Sequence, residues 1–341
     1  MDATDPGDPP ARRVTAAQIA REAGVSVPTV SRVLNGHADV SPETRARVEQ
    51  LLDARGYRRR TRQRPAVRLV DLVFPDLDSI WAVEIIRGVS EAARAEGVGT
   101  VVSAVHGRVD STREWLRNVR ERDCDEVIFV TSHVQPALRE DLRTLAVPVV
   151  VIDPTGGPER DGPTIGATNW AGGYAATRHL LDLGHRRIGL IAGPPRLLCS
   201  RARSDGYRSA LEEAGVPATA DLVVEGDFSH ESGFEQGGRL LGRPDPPTAV
   251  FAASDQMALG LYEALRKRGL RVPDDVSVVG FDDLPVARWA SPPLTTVRQP
   301  LAEMGALAAR TALRLVRGET LATPRLELAT ELVVRDSSAP I

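Results

Sequence analysis

Short apolar runs rich in β-branched residues alternate with amphipathic stretches from residue 69 onward. This alternation is typical of an α/β protein with a mostly parallel sheet covered by helices. Predicted strands include 69–74, 98–105, 126–130, 148–152, 187–191, 248–252 and 276–281, and predicted helices include 82–96, 170–183, 254–268 and 301–317. Because about 270 residues are too many for one comfortable sheet, we expect two doubly wound lobes.

The N-terminal part of the chain is basic and the rest is acidic. Residues 11–64 contain 12 arginines and 5 acidic residues, a net charge of +7, so the remainder carries −10 within a whole-chain charge of −3. A basic head on an acidic body favours a polyanion as the partner of the head alone. Charge by itself is weak evidence, because arginine-rich surfaces are often only solvated helix faces.

Three short helices are predicted in the basic segment. They span 16–23, 27–34 and 42 to about 56, and Thr15, Ser26 and Ser41 stand before them as N-caps. Their apolar residues would form one small core: Ile19, Ala20, Val25, Val30, Val33, Val48, Leu51 and Leu52. A helix, a glycine turn and a second helix that begins with small polar residues are what a reader of the DNA major groove requires.

The second helix is the predicted recognition helix. Val27, Pro28 and Arg32 share one face, and Arg32 can bond O6 and N7 of guanine with two donors. The residues expected to contact phosphates are Thr15, Ser26, Thr29, Ser31 and Asn35.

The run VTAAQIAREAGVSVPTVSRVLNGHADVSPETRARV resembles the LacI/GalR family of sugar-responsive bacterial repressors. The resemblance continues through Ala54–Tyr57, which adds Tyr57 to the expected DNA-binding residues, and resumes at SDQMALG, SVVGFDDLPVARW and PPLTTVRQP. It implies a sensor like the periplasmic binding proteins, whose chain passes between two lobes three times. We expect those crossings near Thr168, Ser291 and Pro324.

The expected divisions of the chain follow from its composition and charge together with this resemblance. They are a disordered leader at 1–12, a helix-turn-helix domain at 13–57, a hinge linker at 58–66 and a sensor at 67–335. The first lobe is expected at 67–167 and 293–323, and the second at 168–292 and 324–335.

The hinge departs from the family pattern. Relatives usually carry a short helix with a leucine that wedges into the minor groove, whereas this chain reads RRRTRQR after Tyr57 and has no leucine before Leu69. We therefore expect the hinge to use arginines in the minor groove, or to bend DNA less.

The resemblance also implies an effector site between the lobes. Its expected residues are Trp81, Asp153, Arg203, Phe228, Asp282 and Gln299. Trp81 would stack on a pyranose, Arg203 would bond ligand hydroxyls or carboxylates, and Asp282 would accept from sugar hydroxyls. Four other interpretations stay open: Trp81 filling a lobe interface, Asp282 capping a turn, Phe228 lying in the core, and Arg203 pairing with Asp205 or Glu225.

The expected effector is a small sugar, with a xylo-oligosaccharide such as xylobiose as the first candidate, although no residue distinguishes it from cellobiose. A homodimer on a pseudo-palindromic operator is expected, with ligand binding releasing the DNA. A corepressor response, or a receptor with no DNA role, is the alternative.

Other function classes lack their motifs. The chain has no G-x-G-x-x-G after an early strand, no G-x-x-x-x-G-K-[ST] and no H-E-x-x-H, and Cys124 and Cys199 are far apart. We therefore expect no enzyme, no metal and no cofactor. The acidic, proline-rich start and the absence of an apolar run of about 18 residues predict a cytoplasmic protein with no membrane partner.

Overall fold

The structure is a computed structural model that describes residues 16–34, 40–55, 68–77, 79–105, 109–122, 124–130, 147–153 and 162–341. It divides into two units, Met1–Ala66 and Val67–Ile341. The second unit begins at the residue where the sensor is predicted to start.

The first unit contains three helices, α1 (Ala16–Ala23), α2 (Val27–Leu34) and α3 (Pro42–Ala54). Gly24 turns the chain between α1 and α2 at a φ of +67°, a conformation that costs glycine little. The predicted core forms: the buried residues are Ile19, Ala20, Ala23, Val30, Val33, Val48 and Leu52, with Val25, Val40 and Leu51 packed against them.

Serine side chains begin α2 and α3 as the sequence predicts. The Thr29 backbone N–H donates to Ser26 Oγ at 3.3 Å, and the Thr44 N–H donates to Ser41 Oγ at the same distance. Each bond satisfies one of the N–H groups that a helix start leaves without a partner.

The second unit has the following elements in chain order: β1 (Arg68–Phe74), α4 (Ile80–Ala95), β2 (Val98–Ala104), α5 (Val109–Arg122), β3 (Glu126–Val130), β4 (Val149–Ile152), β5 (Thr164–Ala167), α6 (Asn169–Asp182), β6 (Ile188–Ala192), α7 (Leu198–Glu213), β7 (Val223–Glu225), α8 (His230–Leu241), β8 (Ala249–Ala252), α9 (Asp255–Lys267), β9 (Ser277–Asp282), α10 (Pro285–Trp289), β10 (Thr295–Arg298), α11 (Leu301–Val316), β11 (Arg325–Leu328) and β12 (Glu331–Val333).

These strands form two six-stranded sheets, one for each lobe. The orders are β11-β5-β4-β3-β1-β2 and β12-β10-β9-β8-β6-β7. The first sheet is parallel throughout, and in the second only β12 is antiparallel to its neighbour. Helices cover both faces of each sheet, so the predicted two-lobed α/β fold is confirmed.

Each sheet separates two apolar clusters. In the first lobe, α4 and α11 pack on one face and Trp115, Leu116 and Val119 of α5 pack on the other. In the second lobe, α6 and α7 cover one face, and α8 and α9 cover the other. Helices on both faces explain why the central strands β3, β6 and β8 are buried along their whole length.

Glycines let α6 and α7 pack backbone against backbone. A Cβ on Gly206 would lie 2.2 Å from the Trp170 carbonyl oxygen, and one on Gly173 would lie 2.2 Å from the Arg203 carbonyl oxygen. Real Cβ atoms do not approach that closely, so a larger residue at either position forces the helices apart.

The strand pairings correct two of the three predicted lobe crossings. β10 pairs with β9 in the second sheet, although 293–323 was assigned to the first lobe. β11 pairs with β5 in the first sheet, although 324–335 was assigned to the second. The crossings therefore fall at 168, 299–300 and 329–330.

The prolines near the predicted crossings explain the error. Pro292 and Pro293 precede β10, and Pro324 precedes β11 and accepts a hydrogen bond from the Thr164 N–H at 2.8 Å. Proline suits the entry to a strand because it has no N–H to give the ladder. These prolines mark strand starts, and the chain changes lobe only where each strand ends.

The C-terminal residues belong to the second lobe and extend it beyond the predicted end at 335. Ser337 is fully buried; its hydroxyl donates to the Val278 carbonyl at 2.6 Å and accepts from the Thr295 N–H at 2.7 Å. The Ile341 N–H donates to the Leu183 carbonyl at 3.2 Å. No helix in the described part of the chain is long and apolar enough to cross a membrane.

Candidate functional site

The predicted recognition residues lie at the start of α2, except Arg32, which lies in its last turn. Ser26, Val27, Pro28 and Arg32 are exposed, and Thr29 is half-buried. Val27 is 46% exposed, so its side chain is accessible to a partner. Ser31 lies within α2, while Thr15, Asn35, Tyr57 and the 58–66 linker lie outside the described residues.

In the sensor, three of the six predicted effector residues have left-handed backbone. The φ angles are +50° at Asp153, +75° at Phe228 and +116° at Asp282. Each residue follows or ends a parallel strand, β4, β7 or β9 respectively. Non-glycine residues adopt such angles at a cost, and they cluster at ligand sites where the surrounding structure holds them.

Arg203, on the second turn of α7, is the centre of the site and is 5% exposed. Its Nε donates to Asn169 Oδ1 at 2.8 Å, and its Nη1 donates to the Ala253 carbonyl at 2.6 Å. The guanidinium carbon lies 3.7 Å from the centre of the Phe281 ring, within the range of a cation–π contact. The guanidinium is therefore held rigidly.

Asp282, at the end of β9, faces that guanidinium. Its Oδ1 lies 3.7 Å from Arg203 Nη1 and accepts a hydrogen bond of 2.6 Å from Gln299 Nε2. Burial raises the pKa of the Asp282 carboxyl to about 6, against the opposing effects of Arg203 and Gln299; the negative charge of Asp153 raises it further. Arg203, Asp282 and Gln299 thus form one buried polar cluster with Asp153 nearby.

Phe228 adds an aromatic wall to this cluster. Its ring lies 5.7 Å from the Arg203 guanidinium carbon and packs so close to β6 that a Cβ on Gly193 would be 2.1 Å from it. The Ser254 hydroxyl donates to the Phe228 carbonyl at 3.2 Å and caps α9 by accepting from the Met257 N–H. Ser254 thus holds the Phe228 backbone and the start of α9.

Asp255 supports the turn that carries Asp282 and was missed by the sequence analysis. It is fully buried; one carboxylate oxygen accepts from the Leu284 N–H at 2.7 Å and the other from the Thr296 hydroxyl at 2.5 Å. Burial and the neighbouring Asp282 raise the pKa of Asp255 well above its ordinary value. The run SDQMALG contains this residue, but its spacing in the sequence does not reveal the partners.

Trp81 is placed differently from the other five residues. It is half-buried on the first turn of α4 and packs against the core of the first lobe. The residue that caps α4, Ser79, donates through its hydroxyl to Gln256 Oε1 of the second lobe at 3.0 Å. This end of α4 therefore lies where the lobes meet, and both interpretations of Trp81 remain consistent with its position.

The contacts also bear on the alternative interpretations of Arg203, Asp282 and Phe228. Asp205 pairs with Arg208 at 2.9 Å, whereas Arg203 turns inward, so Arg203 is not a surface ion-pair partner of Asp205. The Asp282 carboxylate accepts a hydrogen bond from Gln299. The N-cap of the next helix, α10, is Leu284, so Asp282 does not cap that helix. Phe228 is partly buried against the apolar cluster of the second lobe while it also faces Arg203.

The cluster can both donate hydrogen bonds to the hydroxyl groups of a ligand and accept hydrogen bonds from them. Among the described residues, no hydrogen bond reaches Nη2 of Arg203 or Oδ2 of Asp282, so the first can donate to a ligand and the second can accept from one. A fixed donor and a fixed acceptor beside an aromatic wall suit a polyhydroxylated molecule. Within the described residues, no group of His, Cys, Asp and Glu could hold a metal ion.

Known proteins share both units. A model of the bacterial regulatory proteins of the lacI family matches residues 15–60, and one of a periplasmic binding protein-like domain matches residues 177–338. The HTH-type transcriptional regulator DegA of Bacillus subtilis is 35% identical over 96% of this chain and 99% of its own length.

This chain belongs to the lacI family. The HTH-type transcriptional regulator CelR of Thermobifida fusca is 38% identical over 96% of the chain and 98% of its own length. Two solved family structures match closely. A CelR–cellobiose complex has a TM-score of 0.73 and 37% identity, and the match covers 95% of this chain and all of that one. A lac repressor dimer bound to operator has a TM-score of 0.72 and 30% identity, and the match covers 96% of this chain and all of that one.

Membership of the lacI family confirms three predictions. The chain is a DNA-binding transcriptional regulator, it is not an enzyme, and its sensor has the fold of the periplasmic binding proteins. Operator DNA is therefore the partner of the first unit.

Proposed function

We propose that this regulator is a homodimeric repressor that leaves a pseudo-palindromic operator when its sensor binds a short β-linked oligosaccharide. The observation that carries the ligand assignment is the buried cluster of Arg203, Asp282 and Gln299, in which a guanidinium donor lies 3.7 Å from a carboxylate acceptor. The exposed side chains of Val27, at the start of α2, and Arg32, in its last turn, support the DNA contact. Because one helix-turn-helix reads too few bases, two copies are needed for a specific site.

A neutral ligand fits the charges of the cluster better than an anion. The charge of Arg203 is already opposed by Asp282, and Asp153 adds a second carboxylate nearby. An anionic ligand would meet both carboxylates in a buried site, where repulsion is screened poorly. Hydroxyl groups can bond to the guanidinium and the carboxylate together without adding charge.

The relatives guide the choice of sugar. The CelR structure is a complex with cellobiose, which supports a β-1,4-linked disaccharide for this chain as well. Xylobiose stays beside cellobiose in the proposal, because no described contact distinguishes the hydroxymethyl group by which the two sugars differ. Since operator DNA is in the cytoplasm, the protein acts there.

Ligand and operator binding can be tested on the same full-length protein. Thermal unfolding is measured with xylose, xylobiose, xylotriose, glucose, cellobiose and cellotriose, since a ligand at 100 times its Kd stabilises the folded state by about 2.7 kcal/mol. Fluorescence anisotropy of a labelled operator then shows whether the stabilising sugar releases the DNA. We expect stabilisation by a disaccharide and release of the operator.

Two arginines of α7 provide the variant and its control. Arg203→Gln should abolish stabilisation by the sugar, whereas Arg208→Gln should leave it intact, because Arg208 is exposed and pairs only with Asp205 among the described residues. Stabilisation without release would refute the inducer assignment, and tighter operator binding in the presence of sugar would replace it with a corepressor. Equal stabilisation of both variants would remove Arg203 from the site.

A further inference from the structure

A cavity of about 390 Å³ lies beside the Arg203 cluster and is lined by both lobes. Its volume is within the range of about 300–1,000 Å³ that is usual for small-molecule sites. The first lobe contributes Asp153, Gly166 and Glu327, and the second contributes Asn169, Trp170 and Ala202. A molecule in this cavity would therefore contact both lobes at once.

The cavity adjoins the Arg203 cluster through residues that belong to both. Asp153 lines the cavity, and its charge raises the pKa of Asp282. Asn169 also lines the cavity and accepts the hydrogen bond from Arg203 Nε. Asp153 and Asn169 thus place the cavity next to the Arg203 cluster.

Trp170 supplies an aromatic surface in this cavity. The indole is 48% exposed and stacks on the Tyr174 ring, with the ring centres 5.4 Å apart and an angle of 20° between the planes. The stacking holds the indole in one orientation, as a platform requires. An exposed, fixed indole suits the apolar face of a pyranose ring.

The remaining lining leaves room and offers hydrogen-bond partners. A Cβ on Gly166 would have the Glu327 Cγ at 3.8 Å as its nearest atom, so the space above β5 is open to a ligand. Asp153, Asn169 and Glu327 bring polar oxygens and an amide to the wall. Arg325 also lines the cavity and pairs with Glu327 at 3.4 Å, so these two charges offset each other. An aromatic surface with polar groups around it suits a second polyhydroxylated ring.

We infer that this cavity is a second sugar subsite, so the effector is a chain of at least two pyranose units. One unit binds at Arg203 and Asp282, and the next unit stacks on Trp170. This inference rests on the proposed function, which names a disaccharide, and adds the residues that bind its second unit. It also makes the sugar a clamp between the lobes, since both lobes line the second subsite.

The test measures chain-length dependence by titration calorimetry on the full-length protein. The probes are glucose, cellobiose and cellotriose, and xylose, xylobiose and xylotriose. In the unmodified protein we expect the disaccharide of one series to bind at least about tenfold more tightly than its monosaccharide. The Trp170→Ala variant should lose most of this affinity ratio between disaccharide and monosaccharide, and Trp170→Phe should keep it.

Two further variants make the result specific. Gly166→Val fills the cavity without a steric clash at Cβ and should remove the same advantage of the disaccharide. Trp289→Ala removes an exposed tryptophan on α10 and should preserve it. The operator affinity and the melting temperature of each variant show that it is folded.

The outcomes separate this inference from the proposed function. If a monosaccharide binds as tightly as its disaccharide, or if Trp170→Ala and Gly166→Val keep the full ratio, the second subsite is refuted while the sugar-responsive function stands. If none of the six sugars binds the unmodified protein, the proposed function is refuted and this inference with it.

Discussion

Glu126 is a buried carboxyl group without a hydrogen-bond partner. It is the first residue of β3 and is fully buried, and neither of its carboxylate oxygens has a partner among the described residues. Burial raises its pKa from the ordinary value of 4.5 to about 7, although Arg68 and Arg317 partly oppose the effect. The folded protein therefore prefers this group protonated.

The effect on stability follows from the two pKa values. A carboxyl whose pKa is raised by folding contributes its full stability below about 4.5 and loses it as the pH rises through about 7. Each pH unit in this interval changes the free energy of unfolding by about 1.4 kcal/mol. Ionised Glu126 should thus cost the sensor about 3 kcal/mol at pH 8 relative to pH 4.5.

The variant Glu126→Gln isolates this effect, because glutamine has nearly the same shape and does not titrate. Urea unfolding of the full-length protein and the variant is compared at pH 5 and pH 8. We expect the stability of Glu126→Gln relative to the unmodified protein to be about 2–3 kcal/mol higher at pH 8 than at pH 5, close to the value derived above.

The control is Glu121→Gln on α5, where the side chain is 68% exposed. Its stability difference from the unmodified protein should be the same at both pH values, because an exposed carboxyl is already solvated. If the difference between Glu126→Gln and the unmodified protein is also independent of pH, the reasoning about burial is wrong.

Three more predictions follow from the sites. Because the Asp282 carboxyl is the stronger acceptor for a sugar hydroxyl when it is ionised and has a pKa of about 6, sugar affinity measured by calorimetry should fall up to about tenfold per pH unit below 6, and Asp282→Asn should flatten this profile. Gly173→Ala places a Cβ 2.2 Å from the Arg203 carbonyl and should lower the free energy of unfolding by about 1–3 kcal/mol and weaken sugar binding, whereas Gly238→Ala, with only ordinary contacts at Cβ, should do neither. Arg32→Ala should weaken operator binding by about 1–3 kcal/mol per half-site and relax base preference there; an unchanged preference in a competition assay would exclude Arg32 from base reading.

The fold was predictable where the sequence pattern is local and strong. All seven predicted strands form within one residue of their bounds, because long β-branched runs between helices allow few other structures. The strands β5, β7, β10, β11 and β12 were not predicted. They have three or four residues each, too few for a periodic signal, and their pairing depends on contacts distant in sequence.

The site was predictable as a set of residues and not as a set of bonds. The family resemblance named Arg203, Phe228, Asp282 and Gln299, which lie together in the structure. It could not show that Asn169 holds Arg203 or that Asp255 holds the turn after Asp282. Such supporting bonds join residues tens of positions apart, and the sequence pattern around each of them indicates only a helix start.

The three passages of the chain between lobes have a consequence for biosynthesis. The first sheet is completed by β11 and the second by β12 and Ser337, all within the last 17 residues. A ribosome that is still translating these residues therefore carries two open sheets, each with an unpaired edge. A nonsense codon near position 320 would damage both lobes together, and neither lobe could be expressed alone by simple truncation of the reading frame.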